Sequence, residues 1–266
     1  MGGCEFIFGE SGFLSVSTEK IVELASLEDG SSIHEIRGRM ATLLDVYEDS
    51  GEFEGLAPFL YVYHSVTSTV ADREVEEEFF DSPEALESLD GTFAGLYFDA
   101  VRTYVSSGEM RRPWKSYFEY CSREGGRPVI KMLLGINAHI NADLAHALYL
   151  EDYSEKRDYE RINGILESQL PSSMKYLAKK GDTAGALGLL DRPLAHREFR
   201  SLIVNWRQLT WENYQKLEED GFEAHKEELY DQTERVAQEI IELEKRFDYL
   251  NLYSTVKKAN RLKVMI

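Results

Sequence analysis

The chain has 266 residues, 43% of them hydrophobic and 12% aromatic, enough to bury a sizeable core and well away from the disordered class. Its 48 acidic residues outnumber 30 basic ones for a net charge of -18, and no Lys/Arg cluster offsets them, which argues against nucleic acid or an anionic membrane as partner. Two cysteines, Cys4 and Cys121, are too few for a disulfide framework or a cysteine zinc site.

The N-terminal "MGGCEFIFGESGFLS" lacks the basic region and long apolar stretch of a secretory signal, and Phe6 stands where a myristoylation signal wants Ser or Thr. No charge-free apolar run reaches the ~18 residues of a membrane span, so the expectation is a cytoplasmic protein with reduced thiols. "CEFIFGESGFLSV" offers a short hairpin at most. From there the pattern is helical. Segments run from about Thr18 to Leu27, Ile33 to Tyr47, and Pro58 to Phe80. The next has Ser82 as N-cap, Pro83 in its first turn and Gly108 past its end. Further helices fit Pro113 to Arg123, Pro128 to Leu150, Ser154 to Gln169, Ser172 to Lys180, and Leu194 to Glu218. In the last segment Leu229, Thr233, Val236, Ile240, Leu243, Phe247 and Leu250 recur at steps of four and three, a heptad seam. The expectation is one all-α domain, a helical bundle around a central helix at about 128–150. Its core spans about 59–220, and the long C-terminal helix, about 222–262, is peripheral and able to form a homodimer.

The central segment, "LLGINAHINADLAHALYL", places His139, Asp143 and His146 in a stretch otherwise suited to burial. On an α-helical wheel they lie at roughly 0°, 40° and 340°, on one face over successive turns. Gly135, Ala138, Ala142 and Ala145 form a strip that admits close neighbours, while Ile136, Ile140 and Leu144 supply an apolar side. A helix lined in this way is central, so its ionisable groups need a metal, a partner or a pocket. Imidazoles and a carboxylate one turn apart suit a divalent ion such as zinc, manganese or iron, although the His-Glu-x-x-His pattern is absent. A polar pair bonded to the flanking Asn137 and Asn141 is the structural alternative.

Asp90 falls on a stripe of Leu86, Phe93, Tyr97, Ala100 and Tyr104, where a leucine belongs, and so needs a specific partner; Tyr97 is a further candidate for lining a substrate site. Asp158 and Asn163 flank the packing face of Tyr159, Ile162 and Leu166. His64 flanks a stripe of Phe59, Val62, Tyr63 and Val66. Arg200, Trp206 and Trp211 are large enough to wall a pocket. No G-x-S-x-G elbow, Walker loop or dinucleotide fingerprint occurs, so no nucleotide cofactor is expected. One Asp-x-x-His element falls short of a di-iron bundle.

With "FLYVYHSVT", "LDGTFAGLYFDA", "LLGINAHINADLAHAL" and "DYERINGIL", the chain resembles a bacterial family known only as a domain of unknown function. The resemblance covers about Phe59 to Leu166. It implies an all-helical fold and singles out Asn137, His139, Asn141 and Asp143, with Asp90, Asp158 and Asn163 behind them; His64 and His146 are not part of its pattern. It carries no activity. The expected function is a metal-dependent enzyme acting on a small, partly apolar molecule, with hydrolysis favoured. His139 and Asp143 are ligands or an acid–base pair, Asp90 is a third ligand or orients His139, and His146 is a further ligand candidate. The alternatives are a metal-free isomerase or cyclase using the His139–Asp143 pair, and a non-enzymatic binding or scaffolding protein.

Overall fold

The structure, a computed structural model, describes residues 16–182, apart from 29, 75 and 77, and residues 193–244. All regular elements among them are helical, and they make one domain. Helices α1 (Val16–Leu24) and α2 (Ile33–Ser50) pack together, and Ser32 caps α2 by accepting from the Glu35 amide at 3.3 Å. A short 3-10 turn, Glu54–Leu56, leads into α3 (Ala57–Glu74). Helix α4 (Pro83–Ser107) stops at Gly108, whose φ of 71° is the left-handed exit that glycine takes without strain. Then follow α5 (Lys115–Cys121), α6 (Pro128–Ala138), a π turn (His139–Asp143) and α7 (Leu144–Leu150). Helices α8 (Lys156–Lys179), α9 (Pro193–Asp220) and α10 (Phe222–Glu244) complete the described chain.

The segment from α6 through the π turn to α7 is the axis of the bundle. Each residue from Met132 to Ala145 is buried: most are apolar or small, and the polar exceptions, Asn137, His139, Asn141 and Asp143, are covered by the neighbouring helices. Helices α3, α5 and α10 pack against α6, while α4, α9 and α10 reach the π turn and α9 and α4 cover α7. Among the described residues no helix is long and apolar enough to cross a membrane.

Three expectations about the elements change. Helix α8 is one helix, not two: it runs through Pro171, and the hydroxyls of Ser172 and Ser173 both bond the Gln169 carbonyl beside the proline, at 2.8 and 2.9 Å. The third segment ends at Glu74 rather than near Phe80. The C-terminal helix is not peripheral within the described chain. Leu229, Thr233 and Ile240 of its seam are buried, and Val236 is half-buried against the same core. That face is therefore occupied by the chain's own core, which removes most of the surface expected to dimerise. Arg112, just ahead of α5, pairs with Glu227, Asp231 and Glu234 of α10 and fixes the helix from outside. The hairpin expected before Ser17 and the seam positions Phe247 and Leu250 lie outside the described residues, as does the side chain of Leu243.

Candidate functional site

The helical wheel assumed an uninterrupted α-helix. At His139–Asp143 the turn widens by one residue, so that the Leu144 amide donates to the His139 carbonyl five positions back. Such π turns are rare and concentrate at functional sites, because the extra residue re-aims the side chains on either side of it. Neighbouring helices brace the turn. The Thr210 hydroxyl of α9 lies 2.7 Å from the Ile140 carbonyl oxygen and 2.9 Å from that of Trp206. The Asn137 side-chain amide donates to the Thr233 carbonyl of α10 at 2.9 Å, and that of Asn141 donates to Asn137 Oδ1 at 2.8 Å. Both asparagines therefore fasten the turn to α10. Neither lines the cavity described below.

His139 stands in an aromatic box. Phe93 stacks on its ring at 3.6 Å between centroids, and Tyr63 (4.3 Å), Phe59 (5.5 Å), Trp114 (5.9 Å) and Tyr97 (6.2 Å) close the other sides. Its Nδ1 lies 3.4 Å from Asp143 Oδ2, and the same oxygen accepts from Trp114 Nε1 at 2.9 Å. Burial drives His139 well below the usual imidazole range and Asp143 well above the usual carboxylate range, the Trp114 bond only partly opposing the latter. His139 is thus held neutral at physiological pH, and the charged form of Asp143 is disfavoured by the same burial. His139 Nε2 is out of solvent and has no hydrogen-bond partner among the described residues.

His139 forms part of the wall of a partly open cavity of about 120 Å³, lined from α3, α4, α6, the π turn, the start of α7, α8 and α9. Its walls are mostly apolar, with Val66, Leu89, Ile136, Ile140, Ile162 and Ile203 among them. An apolar cavity of about 150 Å³ is known to stay dry and to take a benzene ring, so this one is on the scale of a small apolar molecule. The polar groups on the wall include His139, Asp90, Asn163 and Arg207. Asp90 is half-buried as a residue, but its Oδ2 is out of solvent without a partner among the described residues. Burial pushes its carboxyl up to about 8; Glu74 adds to the shift and Arg207 opposes it. Glu74, at the end of α3, is pushed up to about 7 by burial and by Glu87.

The remaining candidates are elsewhere. Asp158 is wholly buried and accepts from the Asp81 and Ser82 amides at 2.9 and 2.8 Å, so it, rather than the Ser82 hydroxyl, caps α4. Tyr97 lies behind the cavity wall, its ring against Phe59 and Trp114 and its hydroxyl beside Tyr47. His64 contacts Ser68 at 3.3 Å on its own helix and does not line the cavity. His146 stacks on Phe222 of α10 at 3.8 Å, turned aside from His139 by the π turn. Asn163 does line the cavity and accepts from Arg207 Nε at 2.8 Å.

The expected metal-ligand set of His139, Asp143, His146 and Asp90 does not assemble. Among the described residues no group of three or more His, Cys, Asp or Glu side chains is placed to hold a metal ion. Asp143 spends Oδ2 on Trp114 and His139, and the third imidazole belongs to another interface. Trp114 and Arg207 were not among the candidates. Trp114 stood in the first turn of the helix expected from Pro113 and carried no sequence signal; the structure places it just ahead of α5. Arg207 did give one: Phe199, Ile203 and Arg207 follow at steps of four, so the arginine occupies an apolar stripe just as Asp90 does.

The chain belongs to a family of unknown function, DUF5995, whose model matches residues 33–243. The match extends on both sides of the stretch from Phe59 to Leu166 and takes in nearly all of α10. No curated protein and no solved structure matches the chain.

Proposed function

We propose that the protein is an acid–base enzyme acting on a small, largely apolar molecule held in the central cavity, of the isomerase or cyclase type, and that it needs no metal of its own. One observation carries this reading: His139 Nε2 is buried and unpartnered in a residue of the cavity wall, while Nδ1 faces an Asp143 carboxyl that Trp114 holds from behind. With both groups neutral, Asp143 offers its proton to Nδ1 and the ring proton sits on Nε2. Nε2 then protonates a substrate atom as Nδ1 takes the Asp143 proton. The charge left on Asp143 is met by the Trp114 N–H and by Nδ1–H, so the imidazole itself never carries charge among the aromatic rings. Asp90, protonated at neutral pH, supplies a second proton-exchanging group from α4. Once Nε2 has given its proton to one carbon it is unprotonated and can take a proton from another carbon of the same molecule, as Nδ1 returns its proton to Asp143; the sum is an isomerisation with both groups restored.

Nitrogen-15 spectra of the histidine rings test the reading without a known substrate. His139 should show one neutral tautomer unchanged from pH 5 to 8, and Asp143→Asn should alter its shifts. A His139 ring that titrates near 6.5 would sink it. So would near-stoichiometric zinc, manganese or iron in untagged protein that is lost in folded His139→Ala and Asp143→Ala variants; that result would restore metal-assisted hydrolysis. The apolar walls also suit a second reading, a carrier that binds the same molecule unchanged. In that case His139→Gln would leave binding intact and no turnover would be found in the parent.

A further inference from the structure

The cavity contains a charge that the proton chemistry does not use. Arg207 of α9 is 5% exposed and lies on the cavity wall. Its Nε donates to Asn163 Oδ1 at 2.8 Å and its Nη2 to the Tyr159 carbonyl at 2.6 Å. The Tyr159 ring lies 4.0 Å from the guanidinium carbon, and the Tyr159 hydroxyl donates to the Arg207 carbonyl at 2.6 Å. These contacts hold the guanidinium in place but do not neutralise it. Among the described residues no carboxylate lies within ion-pair distance of it, and neither Nη1 nor any other group of this side chain has an anionic partner. The other cation on the wall, Arg200, is already paired with Glu167 at 2.9 Å.

A buried guanidinium is costly unless an anion meets it, and arginine is rarely buried without one. Asp90 is the acid nearest to that role, and it does not come within ion-pair distance of Arg207. We infer that Arg207 binds the carboxylate of the ligand, and that the molecule taken by this cavity is a short-chain or compact monocarboxylic acid with an apolar body. This deepens the reading of the cavity as the substrate site and rests on it. A planar carboxylate matches the guanidinium fork, which the Asn163 and Tyr159 bonds keep oriented. The neutral carboxyl of Asp90 can donate a hydrogen bond to the same ligand. A single unpaired cation fits one negative charge, and Glu74 and Glu87 near Asp90 disfavour a dianion such as a phosphate monoester. The apolar body then extends along the isoleucine- and leucine-lined wall toward His139.

Titration calorimetry at pH 7 with butanoate, 1-butanol and butyl phosphate tests this. The expected result is saturable butanoate binding to the parent, at least tenfold tighter than that of either other probe. Arg207→Met should weaken butanoate at least tenfold and leave butanol unchanged. Equal affinity for acid and alcohol, tighter binding of butyl phosphate, or saturable binding of none would each overturn the proposal, and these comparisons need no variant to fold. If butanoate binds the parent as expected while the parent's His139 ring titrates near 6.5, the acid–base reading fails and the carboxylate site stands.

Discussion

Gly135→Ala should be among the most destabilising single-methyl additions in this chain. A Cβ at position 135 would meet Phe59 Cγ at 2.3 Å, Cβ at 2.6 Å and Cδ2 at 2.7 Å, against ordinary contacts of 3.4–4 Å. The ring would have to retreat by about 1 Å from a well-packed site. Tyr97, Trp114 and Tyr117 have centroids 5.3, 5.4 and 5.9 Å from it, and His139 stands at 5.5 Å, so the ring can retreat only toward the cavity, whose wall it shares. The alternative is for α3 and α6 to part along their whole contact. Overpacking of this kind costs about 1–3 kcal/mol and the rigid ring cluster puts this site at the upper end. At about 2–4 °C per kcal/mol for a domain of this size, Tm should fall by about 6–12 °C. Urea and thermal unfolding followed by circular dichroism would measure it. Gly95→Ala and Gly164→Ala are the controls: both are helical glycines with open space around the new methyl, and should be neutral or stabilising by up to about 1 kcal/mol. If Gly135→Ala melted within 2 °C of the parent, the tight α3–α6 contact would be refuted, and with it the rigidity of the box around His139.

Other expectations are independent of that one. Trp114→Phe removes the donor to Asp143 and should cost about 1–3 kcal/mol in urea unfolding, since a buried carboxyl oxygen loses its partner; a cost below 0.5 kcal/mol would show that the bond does not hold the acid. Thr210→Val strips the hydroxyl from the Ile140 carbonyl and should speed amide hydrogen exchange across the π turn, while Thr210→Ser should not; equal exchange in the two variants would remove Thr210 from the bracing of the turn. Asp90 gives a pH dependence of definite sign. Its carboxyl rises from 3.8 to about 8 on folding, so the stability it contributes is full below pH 3.8 and is lost as pH rises through 8. Between pH 5 and 8 the parent should therefore lose stability faster than Asp90→Asn, by at most about 1.4 kcal/mol per pH unit, read from urea midpoints. Parallel curves for the two proteins would mean that Asp90 ionises normally in the folded state.

The residues that proved legible in the sequence were those whose chemistry contradicted their surroundings. His139 and Asp143 stand in a helix apolar on its other faces, and Asp90 stands on a leucine stripe; both contradictions mark the cavity or its backing. Arg207 presented the same contradiction, but its charged and polar neighbours in the sequence hid the stripe. The grouping of His139 with His146 failed for a geometric reason. A wheel drawn at a constant angle per residue cannot register the π turn, which rotates everything after it and sends His146 to Phe222. For the same reason the small-residue strip divides: Gly135 faces Phe59, while Ala142 and Ala145 pack with Leu217 and Leu229. Asp158 read as an edge residue of its helix and Asn137 as a neighbour of the polar pair; their actual roles were hidden because their partners are backbone groups 76 or more positions away. Helix boundaries were clearest where a proline opened or a glycine closed a segment, and the internal Pro171 misled for that reason.

The bonds from α10 to the central axis also set an order of events during synthesis. Asn137 is translated about 96 residues before the Thr233 carbonyl that receives its amide, and Arg112 more than 100 residues before its acids on α10. A nascent chain therefore emerges from the ribosome with the π-turn segment made and its last brace still missing. Until α10 docks, Asn137 and the small-residue face of α7 are open to water, and a premature stop codon ahead of residue 222 would leave them so. The bracing of the π turn is thus completed only when α10, the last described helix, has docked.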